Sequence, residues 1–153
     1  MQELSDILAG VPFFEGLRHA ELETIAACGQ NVHFDAGATL FREGDAADTF
    51  YVVRHGSVAI ETFVPARGSM MIETIESGEV IGWSWLFPPY RWHFDAKALG
   101  LVRATMFDAA CLRQKCEADT AFGYDLMGRF AQVMIERLQW TRLRLLDMYG
   151  DGR

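Results

Sequence analysis

Between Asn31 and Phe107 the chain is written in short alternating or apolar runs, most of them ended by a glycine-bearing turn. Val32 and Phe34 alternate around His33, Asp35-Ala36-Gly37 turns the chain into Thr39-Leu40-Phe41, and Glu43-Gly44-Asp45 turns it again. Phe50-Tyr51-Val52-Val53 runs through His55-Gly56-Ser57 into Val58-Ala59-Ile60-Glu61-Thr62-Phe63. After a loop at Pro65–Ser69 comes Met70–Ile75, and Gly100 hinges the runs Phe94–Leu99 and Leu101–Phe107. A period of two is a strand signature, and glycine supplies the positive φ that tight turns need. Strands this short and this closely turned predict a rolled antiparallel β-sheet, a jelly-roll-like barrel, over residues 30–107.

The flanks change period and make the fold class α+β. Residues 1–29 read as helical: Leu4, Ile7 and Leu8 form one stripe with Ser5 as a plain N-cap, Gly10 and Pro12 break it, and Leu22, Ile25 and Ala26 resume it. Phe13, Phe14 and Leu17 are the expected contacts between these two helices. Residues 108–149 read as C-terminal helices, with Asp108 capping the first. Along the second, Met127, Ala131, Met134, Leu138, Thr141, Leu145 and Met148 follow at alternating spacings of four and three. That is an a/d seam, which predicts a homodimer through residues 120–148, while Leu126, Phe130 and Val133 lie off the seam and suit packing within one subunit. At 153 residues the whole is expected to be one domain.

Within the strand region, Gly78-Glu79-Val80-Ile81-Gly82-Trp83-Ser84-Trp85-Leu86-Phe87-Pro88-Pro89-Tyr90-Arg91 stands apart. It reads as a turn feeding a short helix, with an arginine returned near the helix start. Free N–H groups at a helix N-terminus attract anions, and a guanidinium clamps phosphate through two parallel hydrogen bonds. A pocket for one small phosphorylated ligand is the reading.

Net charge −7 excludes a broad nucleic-acid-binding face, which needs clustered Lys and Arg. Cys28, Cys111 and Cys116 are odd in number and lack a Cys-x-x-Cys pair; they read as small core residues without a disulfide framework. The acidic start Met1-Gln-Glu-Leu-Ser-Asp has no signal-peptide layout, and no apolar run approaches a bilayer's thickness, so a cytoplasmic chain without membrane contact is expected. The four histidines are scattered without metal-ligand spacing, and no nucleophile–base order or paired carboxylate stands out, so neither a metal, a cofactor nor an enzyme is expected.

In order and spacing these segments resemble the cyclic-nucleotide-binding domain of the catabolite activator protein and its relatives. Pro12-Phe13-Phe14-x-Gly16-Leu17 is similar to the family's opening helices, and Phe41-x-Glu43-Gly44-Asp45-x-x-Asp48-x-Phe50-Tyr51-Val52-Val53-x-x-Gly56-Ser57-Val58 to its best-marked sheet segment. Gly78-Glu79-Val80-Ile81-Gly82 resembles the start of the phosphate-binding cassette, and Arg137-Leu138-Gln139-x-Thr141 the dimer helix. The resemblance implies a small-molecule-sensing regulatory domain that binds a cyclic nucleotide, cyclic AMP rather than cyclic GMP, and signals through the dimer helix to an unidentified partner protein. Glu79 would accept the ribose hydroxyl, Gly78, Val80 and Ile81 would bring backbone to the phosphate, Arg91 would pair with its charge, and Thr141 would meet the base from the partner subunit.

Two departures open an alternative. Arg91 follows Glu79 by twelve residues, a longer spacing than the family's, and Trp92-His93 stands where small residues are usual. If Trp92 fills the phosphate space, the chain is a dimeric scaffold that keeps the fold without binding nucleotide. The chain ends at Arg153, short of a helix-turn-helix, and the long helix sets Arg129, Arg137, Arg142 and Arg144 against Asp125, Glu136 and Asp147, so direct DNA binding is not expected.

Overall fold

The structure, a computed structural model, describes residues 3–151; Met1 and Gln2 of the expected helical start, and Gly152 and Arg153 of the expected single domain, lie outside the described residues. It divides into one compact unit running to Lys115 and a second from Cys116 onward.

The first unit opens with α1 (Leu4–Ala9), a single 3-10 turn at Pro12–Phe14, and α2 (His19–Ala26). Proline leads the 3-10 turn, where its missing N–H leaves nothing unpaired. Ser5 is not the N-cap. Glu3 holds that position and Ser5 lies buried inside α1, because a helix begun at Leu4 sets Leu4 and Leu8 on one face.

Eight strands follow: β1 (Gly29–Phe34), β2 (Thr39–Phe41), β3 (Thr49–His55), β4 (Val58–Val64), β5 (Gly68–Ile75), β6 (Val80–Ile81), β7 (Asp95–Ala98) and β8 (Val102–Asp108). They form two antiparallel four-stranded sheets, ordered β1-β8-β3-β6 and β2-β7-β4-β5, which make the expected roll. Gly56 turns β3 into β4 at φ 90°, and a Cβ there would strike the Leu101 carbonyl oxygen, so only glycine fits.

The register of β3 on β8 builds the core. Phe50 stands opposite Phe107 and Tyr51 opposite Met106. Because successive side chains point to opposite faces, Phe50 and Phe107 share one face and Tyr51 takes the other. Phe50 and Phe107 stack at 4.7 Å; Trp85 continues the column on Phe50 at 5.0 Å, and Phe14 meets Phe107 edge-on at 6.1 Å. On the far face Tyr51 meets Phe34 at 5.9 Å and Phe41, from the other sheet, at 6.4 Å. Both faces of β3 are thus covered, which is why its run of Phe-Tyr-Val-Val is apolar throughout.

α3 (Ala109–Ala118) starts as expected, with Asp108 Oδ1 accepting the Ala110 N–H at 3.0 Å. In the second unit α4 runs Thr120–Asp151, and Asp119 Oδ1 accepts the Phe122 N–H at 3.1 Å near its start. Phe122, Leu126 and Phe130 are buried and Val133 is half-buried, whereas Met127, Leu138, Leu145 and Met148 of the seam are exposed. No helix of the described residues is long and apolar enough to cross a membrane.

The cysteine expectation is corrected: Cys28 and Cys111 form a disulfide, with Cys116 left free. Pairing of β1 with β8 sets the end of α2 beside the start of α3, and Asp108 N–H donates to the Cys28 carbonyl at 2.8 Å. Sequence spacing alone cannot reveal a pair separated by 83 residues. Closing so long a loop constrains the unfolded chain, so Cys111→Ser is expected to lower stability by about 2–4 kcal/mol, read as a lower urea midpoint against the oxidised parent.

Candidate functional site

The segment from Gly78 to His93 is built by three different local rules. Gly78 and Glu79 close the turn after β5. Gly78 N–H donates to the Val53 carbonyl at 2.7 Å, Val53 N–H to the Glu79 carbonyl at 3.0 Å, and Glu79 Oε1 accepts the Glu76 N–H at 2.9 Å. Ser77 Oγ donates to the Arg54 carbonyl, and Ser57 Oγ bonds the Glu76 carboxylate. The Glu79 carboxylate is therefore engaged in its own turn at the surface. Val80 and Ile81 are not loop but strand β6, buried at the sheet edge opposite Val52 and Tyr51.

The strand leaves β6 at Gly82, with φ 100°, and enters a 3-10 turn at Ser84–Leu86. The expected short helix is thus one turn of three residues starting two positions after Gly82, and Trp83 at its N-cap makes no side-chain cap bond. So short a turn sums few peptide dipoles and offers little field to an anion. Its buried members belong to the core: Trp85 stacks on Phe50, and Ser84 Oγ lies 3.3 Å from His93 Nδ1.

The return leg, Tyr90-Arg91-Trp92, lies antiparallel to Gly44–Ala47. Ala47 N–H donates to the Tyr90 carbonyl at 2.7 Å, Trp92 N–H to the Asp45 carbonyl at 3.0 Å, and Gly44 N–H to the Trp92 carbonyl at 2.9 Å. Extended backbone alternates its faces. Trp92 turns inward and is 3% exposed; Arg91 turns outward, where its Nη1 donates to the Gly44 carbonyl at 3.2 Å.

Inside, the Trp92 ring lies flat on Phe41 at 3.7 Å and 8°. Phe94 flanks both rings, at 5.7 Å from Phe41 and 6.3 Å from Trp92, and meets Trp83 at 6.0 Å. A Cβ at Gly82 would come within 2.5 Å of the Trp92 ring, so the absent side chain there is what admits the indole. Burial pushes the Tyr51 hydroxyl above its ordinary value, partly offset by a hydrogen bond with Thr49. The interior cluster is aromatic and neutral.

Of the residues singled out in the sequence, the fold brings Gly78 and Glu79 together in one turn and Val80 and Ile81 into the next strand, with Arg91 on an outward face and Trp92 on an inward one. Thr141 lies on α4 in the second unit, its Oγ1 donating to the Arg137 carbonyl at 2.9 Å. Two residues gain a role that pattern alone did not suggest. Gly82 rather than Gly78 faces Trp92. Arg113 on α3 donates from Nη1 to the Trp85 carbonyl at 2.6 Å and lies 4.5 Å over the Tyr90 ring, pinning the cassette to that helix. The close approach of Gly82 to Trp92, like the long-range cation contact of Arg113, joins separate segments and leaves no local signal. Among the described residues no group of three His, Cys, Asp or Glu is placed to hold a metal ion.

Residues 31–119 match the cyclic nucleotide-binding domain family. Over 145 residues the chain is 26% identical to the CRP-like cAMP-activated global transcriptional regulator of Mycobacterium tuberculosis, covering 95% of this chain and 63% of that protein, so it spans less than two thirds of the regulator's length. Among solved structures, the N-terminal domain of a transcriptional regulator from Streptomyces coelicolor A3(2) is similar at 27% identity and TM-score 0.70, covering 97% of this chain and 100% of that one. A cyclic nucleotide-binding domain from Methylobacillus flagellatus KT shares the fold at TM-score 0.81 with 18% identity, covering 95% of this chain and 82% of that one. With more than half its length in that match and the roll in place around its cassette, the chain belongs to the cyclic nucleotide-binding domain family.

Proposed function

We propose that residues 1–153 work as one non-catalytic, cytoplasmic regulatory domain that keeps the family's roll and long helix but has closed its cassette from within. The observation that carries this reading is Trp92, buried, stacked on Phe41 and fitted against Gly82. A cyclic phosphate entering beside that ring would displace an indole and meet an aromatic, neutral wall. Burying an anion without a paired cation is strongly unfavourable, and Arg91 faces the other way. The domain then acts as a dimeric scaffold: the exposed apolar seam of Met127, Leu138, Leu145 and Met148 is covered by a second copy, and an unidentified partner protein, not DNA, reads the assembly.

A second reading is favoured by the similarity over 95% of this chain to a cAMP-activated regulator. Here the domain senses cyclic AMP, with Gly78, Glu79, Val80, Ile81, Arg91, Trp92 and Thr141 as ligand contacts. It requires Glu79 to leave its turn, Trp92 to swing out and Arg91 to reverse its face.

Calorimetric titration of the folded protein with cyclic AMP and cyclic GMP separates the two. The closed cassette predicts no saturable heat with either nucleotide up to millimolar concentration. Saturable binding of cyclic AMP at micromolar concentration overturns it, and Arg91→Ala would then weaken binding by about 1.5–3 kcal/mol, the value of a charge-assisted hydrogen bond. Trp92→Ala is expected to cost about 3–5 kcal/mol of stability in urea unfolding, as an aromatic removed from a packed core does. Sedimentation is expected to show a dimer that Leu138→Glu with Leu145→Glu converts to monomer, since a charge in the seam has no apolar partner to replace it.

A further inference from the structure

The Cys28–Cys111 disulfide does more than close the fold. Two backbone hydrogen bonds already hold the root of α3 at the same place: Asp108 N–H to the Cys28 carbonyl at 2.8 Å, and Ala109 N–H to the Asp48 carbonyl at 2.9 Å. The covalent bond is a third fastening on that helix start, and the one of the three that a reductant can undo. It is also open to reagents. Cys28 is buried but Cys111 is only half-buried, and both line a cleft of about 530 Å³ with Asp48, Thr49, Met106 and Asp108. Two positions beyond Cys111, on the same helix, Arg113 grips the cassette through the Trp85 carbonyl and the Tyr90 ring. What fastens residue 111 therefore bears on what residue 113 holds.

We propose that Cys28–Cys111 is a thiol–disulfide exchange site, that a dithiol reductant enters by this cleft and frees the root of α3, and that Arg113 carries the release to the cassette. A thiolate of the reductant attacks the Cys111 sulfur, the more exposed of the two. The S–S bond breaks, Cys28 leaves as a thiolate and takes up a proton, and a mixed disulfide joins Cys111 to the reductant. The reductant's second thiol then displaces Cys111, so the chain ends with two thiols, having gained two electrons and two protons, and the reductant ends as a disulfide. Cys116 does not compete for the exchange. Burial first, and the Asp119 and Glu117 carboxylates next, push its thiol above its ordinary value, which keeps it protonated and a poor nucleophile near neutral pH. The carboxylates of Asp48 and Asp108 at the cleft select against anionic thiols. None of this rests on which ligand, if any, the roll takes.

The test uses the full chain in native buffer with dithiothreitol as probe. Alkylation and mass measurement count free thiols, expected to rise from Cys116 alone to all three cysteines without denaturant. Limited trypsin digestion then reads the cassette after Arg91, with Arg67 in the β4–β5 turn, which carries none of the contacts of Cys111 or Arg113 given above, as an internal control. Reduction is expected to speed cleavage after Arg91 about tenfold while leaving cleavage after Arg67 unchanged, the mark of a local opening. Arg113→Gln is expected to be cut fast after Arg91 in both redox states. Reduced glutathione, an anionic thiol, should act more slowly than dithiothreitol at matched thiolate concentration, the gap narrowing with salt. A thiol count that stays at one without denaturant overturns the proposal, and so do equal accelerations at Arg91 and Arg67, which would mean that reduction loosens the native fold as a whole and not the cassette in particular. Equal rates for the two reductants overturn the selectivity. Comparison of oxidised and reduced parent protein decides these points even where a variant fails to fold.

Discussion

Phe14, Phe107, Phe50 and Trp85 form a single column of rings, and the rest of the first unit is arranged so that they can meet. They come from the N-terminal 3-10 turn, β8, β3 and the cassette's 3-10 turn, four segments scattered over the chain. Large flat side chains remove more apolar surface from water than any other residue and add a directional preference for stacked or edge-on contact. The column therefore fixes position as well as stabilising. The register of β3 against β8 sets Phe50 opposite Phe107, and the cassette can only follow β6 along a path that brings Trp85 onto Phe50.

That anchoring changes the character of the cassette. A ligand loop that waits for its anion has its groups free and its backbone N–H groups exposed. Here Gly78 and Glu79 are tied to the end of β3, Trp85 is locked in the core, the return leg is laddered to Gly44–Ala47, and Arg113 holds the loop from α3. Each of these contacts is ordinary in size. Together they leave the segment more like a piece of core than a lid, and what opens it must act through one of its fastenings.

The strands were legible because a period of two and a glycine at the turn are local signals; β2 falls where its three residues suggest, and Gly56 turns the next hairpin. Asp108 as a cap was legible for the same reason, since the side chain and the N–H it accepts from are neighbours. Ser5 misled because the apolar stripe, not the best capping residue, decides where a short helix starts. The disulfide and Arg113 were not legible, since each joins residues far apart in sequence, 83 and 28 positions. In the candidate site the sequence marks Gly78, Glu79, Arg91 and Trp92, but the face each presents is set by β6 and by the ladder to Gly44–Ala47, and those pairings are tertiary.

The pair Arg91 and Trp92 shows why face matters more than spacing. In extended backbone a shift of one residue reverses every side chain. The ladder with Gly44–Ala47 holds this leg in a register that sends the indole inward and the guanidinium outward. To bring Arg91 inside, the ladder would have to slip by one position, and three hydrogen bonds would be exchanged for others while Trp92 came into solvent. Gly82 argues against such a slip. Its missing side chain leaves a space that the Trp92 ring fills, and a slip that moved the ring outward would leave that space empty. A tryptophan at 92 and a clamp at 91 therefore make opposite demands on the same short ladder, and the packing around Gly82 sides with the tryptophan.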